Sequence, residues 1–377
     1  MSKLLTPYRQ LAPAAAVRVS PVCLGSMTFG NQHLETYGEC SDDTAYKILD
    51  YFYENGGNFI DTSNTYQDGE SEVLLGKWMA SRKNKDEIVL ATKYSSPYDF
   101  DCNIKVNVVG NNAKSMKLSL MRSLNRLQTS YIDLFYVHWW DYTTSIPELM
   151  LALNDLVVSG KVIYLGISDA PAWIVTKANE YARAHGLRQF SVYQGYWNAA
   201  FRDFERDIIP MCAAEGMAMC PYGTLNQGRF QTEEVFKERE KNNPGRKFAA
   251  LSQRDKDVSK CLEKVAKSKG VTLFTVALSY ILHRAPYVFP IIGARKVEHV
   301  KGNLPALKLA LTPEEIEEID SAYLFDHGFP HTFLSGTLFN GEKSRGASGP
   351  GDVCLTKVFA EKLAWVEKQK PIPPEDE

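Results

Sequence analysis

The most restrictive feature of this sequence is a beat in which short apolar runs alternate with longer segments of helical periodicity. The runs fall at Val22–Gly25, Phe59–Asp61, Ile88–Lys93, Ile132–His138, Lys161–Ser168, Phe190–Gln194, Met217–Tyr222 and Val288–Ile292. Near-continuous apolar runs suit strands buried on both faces of a parallel sheet. Their alternation with helices implies βαβ crossovers. Eight such units predict an α/β fold, a (β/α)8 TIM barrel. A doubly wound sheet would need a Gly-x-Gly-x-x-Gly turn after its first strand, and Gly25-Ser-Met-Thr-Phe-Gly30 lacks that spacing.

The helical segments have recognisable ends. Ser41-Asp42-Asp43 starts one with Ala45, Ile48, Leu49 and Phe52 on a single face, stopped by Asn55-Gly56-Gly57. Others are expected over 71–81, 114–127 (Leu118, Met121, Leu124 and Leu127 at spacings of three), 147–158, 171–186, 204–215, 257–269, 272–284 and 295–304. Thr312-Pro313-Glu314-Glu315 opens a further one. Residues 8–21 hold two short strands around a Pro-Ala turn. Long loops are expected at 94–113, with no element of its own, and at 223–256, a charged excursion suited to a flap. This divides the chain into a barrel, 1–323, and a C-terminal extension, 324–377, with aromatics near Phe329, a last helix over 357–369 and a disordered tail.

Composition narrows the setting. A hydrophobic content of 44%, 23% charged residues and a net charge of -2 describe a globular chain with no electrostatic case for nucleic acid or an anionic membrane. The start, Met1 to Arg9, has no apolar core for a signal peptide, and no stretch is apolar enough for a membrane helix. Seven scattered cysteines without a Cys-x-x-Cys pair point to neither a disulfide framework nor a zinc site. A cytoplasmic, metal-free protein is expected; composition leaves its oligomeric state open.

Three successive strands end in one ionisable residue each: Asp61, Lys93 and His138, with Tyr66 five residues past the first. Strand ends of a barrel converge on one mouth, where barrels keep their chemistry. Carbonyl reduction needs a hydride at carbon and a proton at oxygen, given by an acid within hydrogen-bonding reach. A tyrosine is a weak acid at neutral pH, but a neighbouring ammonium lowers its pKa. A buried ammonium needs a counter-charge in turn. Tyr66 as acid, Lys93 beside it and Asp61 paired to Lys93 form that chain, and His138 can orient the carbonyl. Taken singly, each has a structural reading: a capping Asp, a buried ion pair, a core histidine.

These four residues, with Gly69-Glu-Ser-Glu72 after the tyrosine, resemble the aldo-keto reductases over residues 8 to about 335. The resemblance implies that the N-terminal hairpin closes the barrel bottom and that the cofactor is NADPH/NADP+, without metal. It implies that Ser168, Asp169 and Gln194 hold the nicotinamide carboxamide and that Tyr222 stacks on the ring. Asp169 replaces the usual Asn, and an ionised Asp only accepts hydrogen bonds. The turn Gly293, Arg295, Lys296, His299 and Asn303 resembles the segment for the adenosine 2′-phosphate, with Gly302 where many members carry a Glu. Leu225, Gln227 and Arg229 are candidates for the pyrophosphate.

Met27, Phe29, Tyr94, Trp139, Trp140, Phe329 and Phe333 are expected to line a pocket for a flat, apolar substrate. His138-Trp-Trp-Asp141, the segment 293–303 and Asp326-His-Gly-Phe-Pro330 are most similar to the fungal aryl-alcohol dehydrogenases. That implies reversible reduction of aromatic aldehydes to benzylic alcohols. Three other readings stand beside it: reduction of another carbonyl such as a polyketide-derived ketone, a cofactor-bound sensor like the potassium-channel β subunits, and a lyase or aldolase using Lys93 as a Schiff base.

Overall fold

A computed structural model describes residues 4–97, 101–232, 234–236, 251–360 and 363–374. Two antiparallel strands, β1 (Arg9–Ala12) and β2 (Ala15–Val19), open the chain as the expected hairpin. Eight parallel strands follow: β3 (Cys23–Gly25), β4 (Phe59–Asp61), β5 (Val89–Tyr94), β6 (Ile132–Val137), β7 (Val162–Ser168), β8 (Phe190–Tyr196), β9 (Ala218–Tyr222) and β10 (Ile291–Gly293). They pair in the order β10-β3-β4-β5-β6-β7-β8-β9. Closure between β9 and β10 uses the chain just before β10: Met219 N donates to Tyr287 O and Phe289 N to Met219 O, each at 2.9 Å. The eighth strand therefore starts three residues later than the apolar run at Val288, which contributes only a bridge to Met219.

The helices between strands are α1 (Leu34–Tyr37), α2 (Asp42–Glu54), α3 (Glu70–Arg82), α4 (Ala113–Arg126), α5 (Ile146–Val158), α6 (Ala172–Ala184), α7 (Ile208–Glu215), α8 (Gln253–Lys269) and α9 (Leu273–Leu282), and α10 (Val297–Asn303) follows β10. After the barrel come α11 (Pro313–Asp320), α12 (His331–Leu334) and α13 (Cys354–Ala360). Side-chain caps set several starts. Ser41 caps α2, and Thr312 with Glu315 forms a capping box on α11.

Two expectations are corrected, and the buried face of α4 is added. The helix at 204–215 is broken into a 3-10 turn, Asp203–Glu205, and the shorter α7, because Arg202 and Glu205 are committed to an ion-pair cluster with Arg284 and Asp320. In α4 the core face is Ser115, Met116, Ser119, Leu120 and Ser123. Leucines three apart drift round a helix of 3.6 residues per turn, so Met121 is half exposed. The last helix ends at Ala360, and 363–374 carries no helix. The expected flap falls largely on 233 and 237–250, outside the described residues, as does the end of the tail, 375–377.

Two cores result. The larger packs helices against the outside of the barrel; the smaller fills its interior with Cys23, Phe59, Val89, Ala91, Leu134, Tyr136, Val192, Ala218, Cys220 and Phe289, resting on Leu11, Ala12, Ala15 and Val19 of the hairpin. Interior residues recur every second position, as the pleat requires. Gly166 is forced by this packing: a Cβ there would enter the Tyr136 ring from the paired strand. Among the described residues no single helix is long and apolar enough to cross a membrane.

Candidate active site

The period of two that places Phe59, Ala91 and Tyr136 inside the barrel also places Asp61, Lys93 and His138 above them. The strands are apolar at the floor and ionisable at the C-terminal rim. Lys93 is fully buried, and its ammonium donates to Asp61 Oδ1 at 2.5 Å, to Thr62 O at 2.8 Å and to the Tyr66 hydroxyl at 3.1 Å. Burying an ion costs several kcal/mol, roughly, and is tolerated where its donors are satisfied; here all three are. The His138 ring stands edge-on to Tyr66 at 5.9 Å between centroids. The structure brings Asp61, Tyr66, Lys93 and His138 together around one half-buried phenol.

The electrostatics differ from the simple expectation in one respect. Burial alone would lower the Lys93 pKa, but the Asp61 carboxylate and Tyr66 outweigh it and hold the ammonium well above its ordinary value. For Tyr66 burial wins: it raises the phenol, Lys93 pulls it down less, and Asp61 adds to the rise. The ammonium does not leave Tyr66 a stronger acid than a free tyrosine, because burial of the phenol outweighs it and Asp61 adds to the rise. His138 is pushed down to about 3 by burial and then by Lys93, so its ring is neutral near pH 7. A Lys93 bound on three sides and held protonated is not a Schiff-base nucleophile, which needs a free amine.

The loop from Thr62 to Glu72 explains the Gly-Glu-Ser-Glu motif residue by residue. Glu70 Oε2 accepts from Asn31 N at 2.7 Å, and Ser71 Oγ donates to Phe29 O at 2.7 Å. The buried Glu72 accepts from Thr92 Oγ1 at 2.7 Å and pairs with Arg126 at 3.3 Å. Gly69, at φ 93, leaves room for the Arg126 guanidinium. Arg126 also donates to Asn64 O at 2.9 Å, fixing the turn that carries Tyr66. None of these tethers was predicted from sequence; the motif marked the place but not the partners.

The expected cofactor residues gather along the same rim, with different partners in places. Ser168 Oγ is buried and finds no protein partner at hydrogen-bonding geometry, the kind of polar atom a ligand amide satisfies. Gln194 is buried and donates one N–H to Asp61 Oδ2 at 3.0 Å, which leaves its second N–H and its carbonyl oxygen. Asp169 sits at φ 45 and accepts from the Tyr222 hydroxyl at 3.1 Å. Although the residue is exposed, desolvation of its carboxyl by the surrounding protein outweighs the Tyr222 hydrogen bond and raises its pKa to about 6.

Leu225 packs against the core, and Asn226–Gly228 is a tight turn with Gln227 at φ 55. Arg229 donates to Tyr196 OH at 3.2 Å. The turn is tied down by Asn226 Nδ2, which donates to Asp255 Oδ1 at 2.6 Å.

At the β10 end, Gly293 and Lys296 are exposed, and Arg295 lies against Gly38. His299 Nδ1 accepts from Arg295 N at 3.2 Å, closing the turn. Asn303 is buried at the end of α10. An unpartnered serine hydroxyl, an aromatic at the rim and a turn with two cations fit the amide, ring and phosphate of a nicotinamide dinucleotide phosphate.

The expected substrate wall is corrected more heavily. Phe29 is fully buried in the outer core. Tyr94 follows the inward Lys93, so the pleat turns it outward, where it stacks on Phe135 and donates to Asn111 O at 3.2 Å. Trp140 is buried against Tyr142. Met27 and Trp139 remain half-buried, with Trp139 Nε1 donating to Ser96 Oγ at 3.1 Å. Phe329 is 77% exposed and Phe333 42%. They face solvent because their segment is anchored to the loop after β8, with Arg206 Nη2 donating to Asp326 O at 2.6 Å.

Comparison with known proteins adds an independent finding. The aldo/keto reductase family profile matches residues 21–324. Norsolorinic acid reductase B of Dothistroma septosporum is 64% identical over 370 residues, covering 97% of this chain and 94% of that protein. Norsolorinic acid reductase B of Aspergillus parasiticus is 61% identical over 376 residues, covering 99% and 98%. The NADP(+) aryl-alcohol dehydrogenase of Phanerodontia chrysosporium is 46% identical over 347 residues, covering 88% and 90%.

Proposed function

Because the chain belongs to the aldo/keto reductase family and is an NADP-dependent oxidoreductase, we propose that it reduces the carbonyl of a polyketide-derived aromatic ketone such as norsolorinic acid. The observation that carries the chemistry is the closed set of contacts on Lys93, which joins Asp61, Thr62 and the phenol of Tyr66 at the barrel mouth. The choice of ketone rests on the two relatives above 60% identity over almost the whole chain. A second reading, reversible reduction of aromatic aldehydes to aryl alcohols, rests on the relatives named aryl-alcohol dehydrogenases at 49% and 46%.

NADPH, when bound, supplies the hydride. Tyr66 gives its proton to the carbonyl oxygen, and Lys93 stabilises the phenolate that this leaves. Asp61, gripped by Gln194, keeps Lys93 protonated. His138, neutral, orients the carbonyl oxygen. Ser168, Asp169 and Tyr222 would hold the nicotinamide end of the cofactor, and Arg295 and Lys296 its 2′-phosphate. Residues 1–323 make up the catalytic barrel and 324–377 a C-terminal extension, and the protein works in the cytoplasm without a metal.

The test is loss of NADPH absorbance with norsolorinic acid, a methoxylated benzaldehyde and an aliphatic aldehyde, with NADH as control. Faster oxidation of NADPH with the ketone supports the first reading. Turnover of the benzaldehyde alone moves the assignment to the second. Tight NADPH binding with no turnover would leave the cofactor-bound sensor.

A further inference from the structure

Among the buried hydroxyls the mechanism leaves unused, that of Ser63 touches His138. Ser63 Oγ lies 3.2 Å from His138 Nδ1 and 3.3 Å from Asn64 Oδ1. Thr65 N donates weakly to the same oxygen at 3.5 Å. Asn64 cannot turn its amide over freely: Nδ2 donates to Ser96 O at 3.0 Å and to Ser119 Oγ at 3.2 Å, so Oδ1 is the end that faces Ser63. Ser63 and Asn64 are both fully buried, and solvent does not compete for the hydroxyl. Ser63 has one hydrogen and two acceptors for it, and its own oxygen already accepts from Thr65.

This choice matters because a neutral imidazole carries a single N–H. Where Ser63 donates to Nδ1, the ring proton sits on Nε2, which then donates to a carbonyl oxygen. Where Ser63 donates to Asn64, Nδ1–H points at Ser63, and Nε2 offers only a lone pair that repels a carbonyl. An imidazole nitrogen is a better acceptor than an amide oxygen, and it is the nearer of the two. We propose that Ser63 is a positioning residue whose hydroxyl donates to His138 Nδ1 and holds the ring proton on Nε2, facing the substrate's carbonyl oxygen. This rests on the reading of His138 as the group that orients the carbonyl.

The test uses the full chain labelled with 15N-histidine, with the His138 signals assigned through His138→Gln. The wild-type protein is expected to show the Nε2–H tautomer of a neutral ring at pH 7, with or without NADPH. Ser63→Ala is expected to lose that preference and to lower kcat/KM for the carbonyl substrate roughly tenfold or more, the effect of one lost hydrogen bond to a buried group. NADPH affinity should not move, and Ser63→Thr, which keeps the hydroxyl, should restore tautomer and rate. A purely structural serine would lower the melting temperature and leave the tautomer alone.

An Nδ1–H tautomer in the wild type overturns the proposal, and so does an unchanged kcat/KM in Ser63→Ala. If Ser63→Ala does not fold, the wild-type tautomer and the behaviour of Ser63→Thr decide the matter. If the wild type reduces no carbonyl, the functional reading falls, while the tautomer still judges Ser63.

Discussion

The mouth over β4–β6 and the C-terminal extension beyond α11 are built on opposite principles. At the mouth, Asp61, Lys93 and His138 stand at the ends of strands whose lower residues fill the barrel, and the charged groups are held by neighbours. Lys93 has three acceptors, Asp61 has Lys93 and Gln194, and Glu72 has Thr92 and Arg126. In the extension, Leu324, Phe329, Phe339, Phe359 and Val366 lie largely exposed, and anchoring is by contacts at the edge such as Arg206 to Asp326 O and Lys343 to Glu317. Reaction chemistry needs positions held within fractions of an ångström, which strands supply. A rim that receives different substrates can be built from segments that are replaced without disturbing the barrel.

Substitutions can break this contrast. Tyr66→Phe removes the acid from the held region; turnover is expected to fall by about 10²–10⁴ while NADPH binding, followed by fluorescence titration, stays nearly intact. Asp61→Asn leaves a buried ammonium without its counter-charge and should lower unfolding free energy by about 3–5 kcal/mol in a denaturant titration. Adding Lys93→Met to that variant should recover part of the loss, since the uncompensated charge is then gone. Gly166→Ala pushes a methyl into the Tyr136 ring beneath the site and should cost about 1–3 kcal/mol.

The pH dependence sharpens the contrast at the cofactor side. Asp169 has its folded pKa raised from 3.8 to about 6, so between those values the folded chain binds the proton more tightly than the unfolded one. Its contribution therefore falls as pH rises through that window and stays reduced above it. Asp169→Asn should raise the melting temperature relative to wild type at pH 7 and change it little near pH 4. The smallest effect is expected in the extension, where the double substitution Phe329→Ala, Phe333→Ala should leave unfolding free energy within about 0.5 kcal/mol. A loss of several kcal/mol would show that the extension belongs to the folded core after all.

The amino-acid sequence by itself determined the barrel and the four residues at its mouth. A strand buried on both faces must be apolar along its length, so one charged residue at its end stands out against that background. Three such ends in succession leave few ways to arrange them. Only the tertiary structure decided which way each neighbour faces. The pleat that turns Lys93 inward turns Tyr94 out into the helices, and no aromatic count along the chain reveals that. Pairings between distant residues also appear only in the fold. Gln194 on Asp61, Arg126 on Glu72 and Ser63 beside His138 depend on strand stagger and loop course, which are set by packing and not by local pattern.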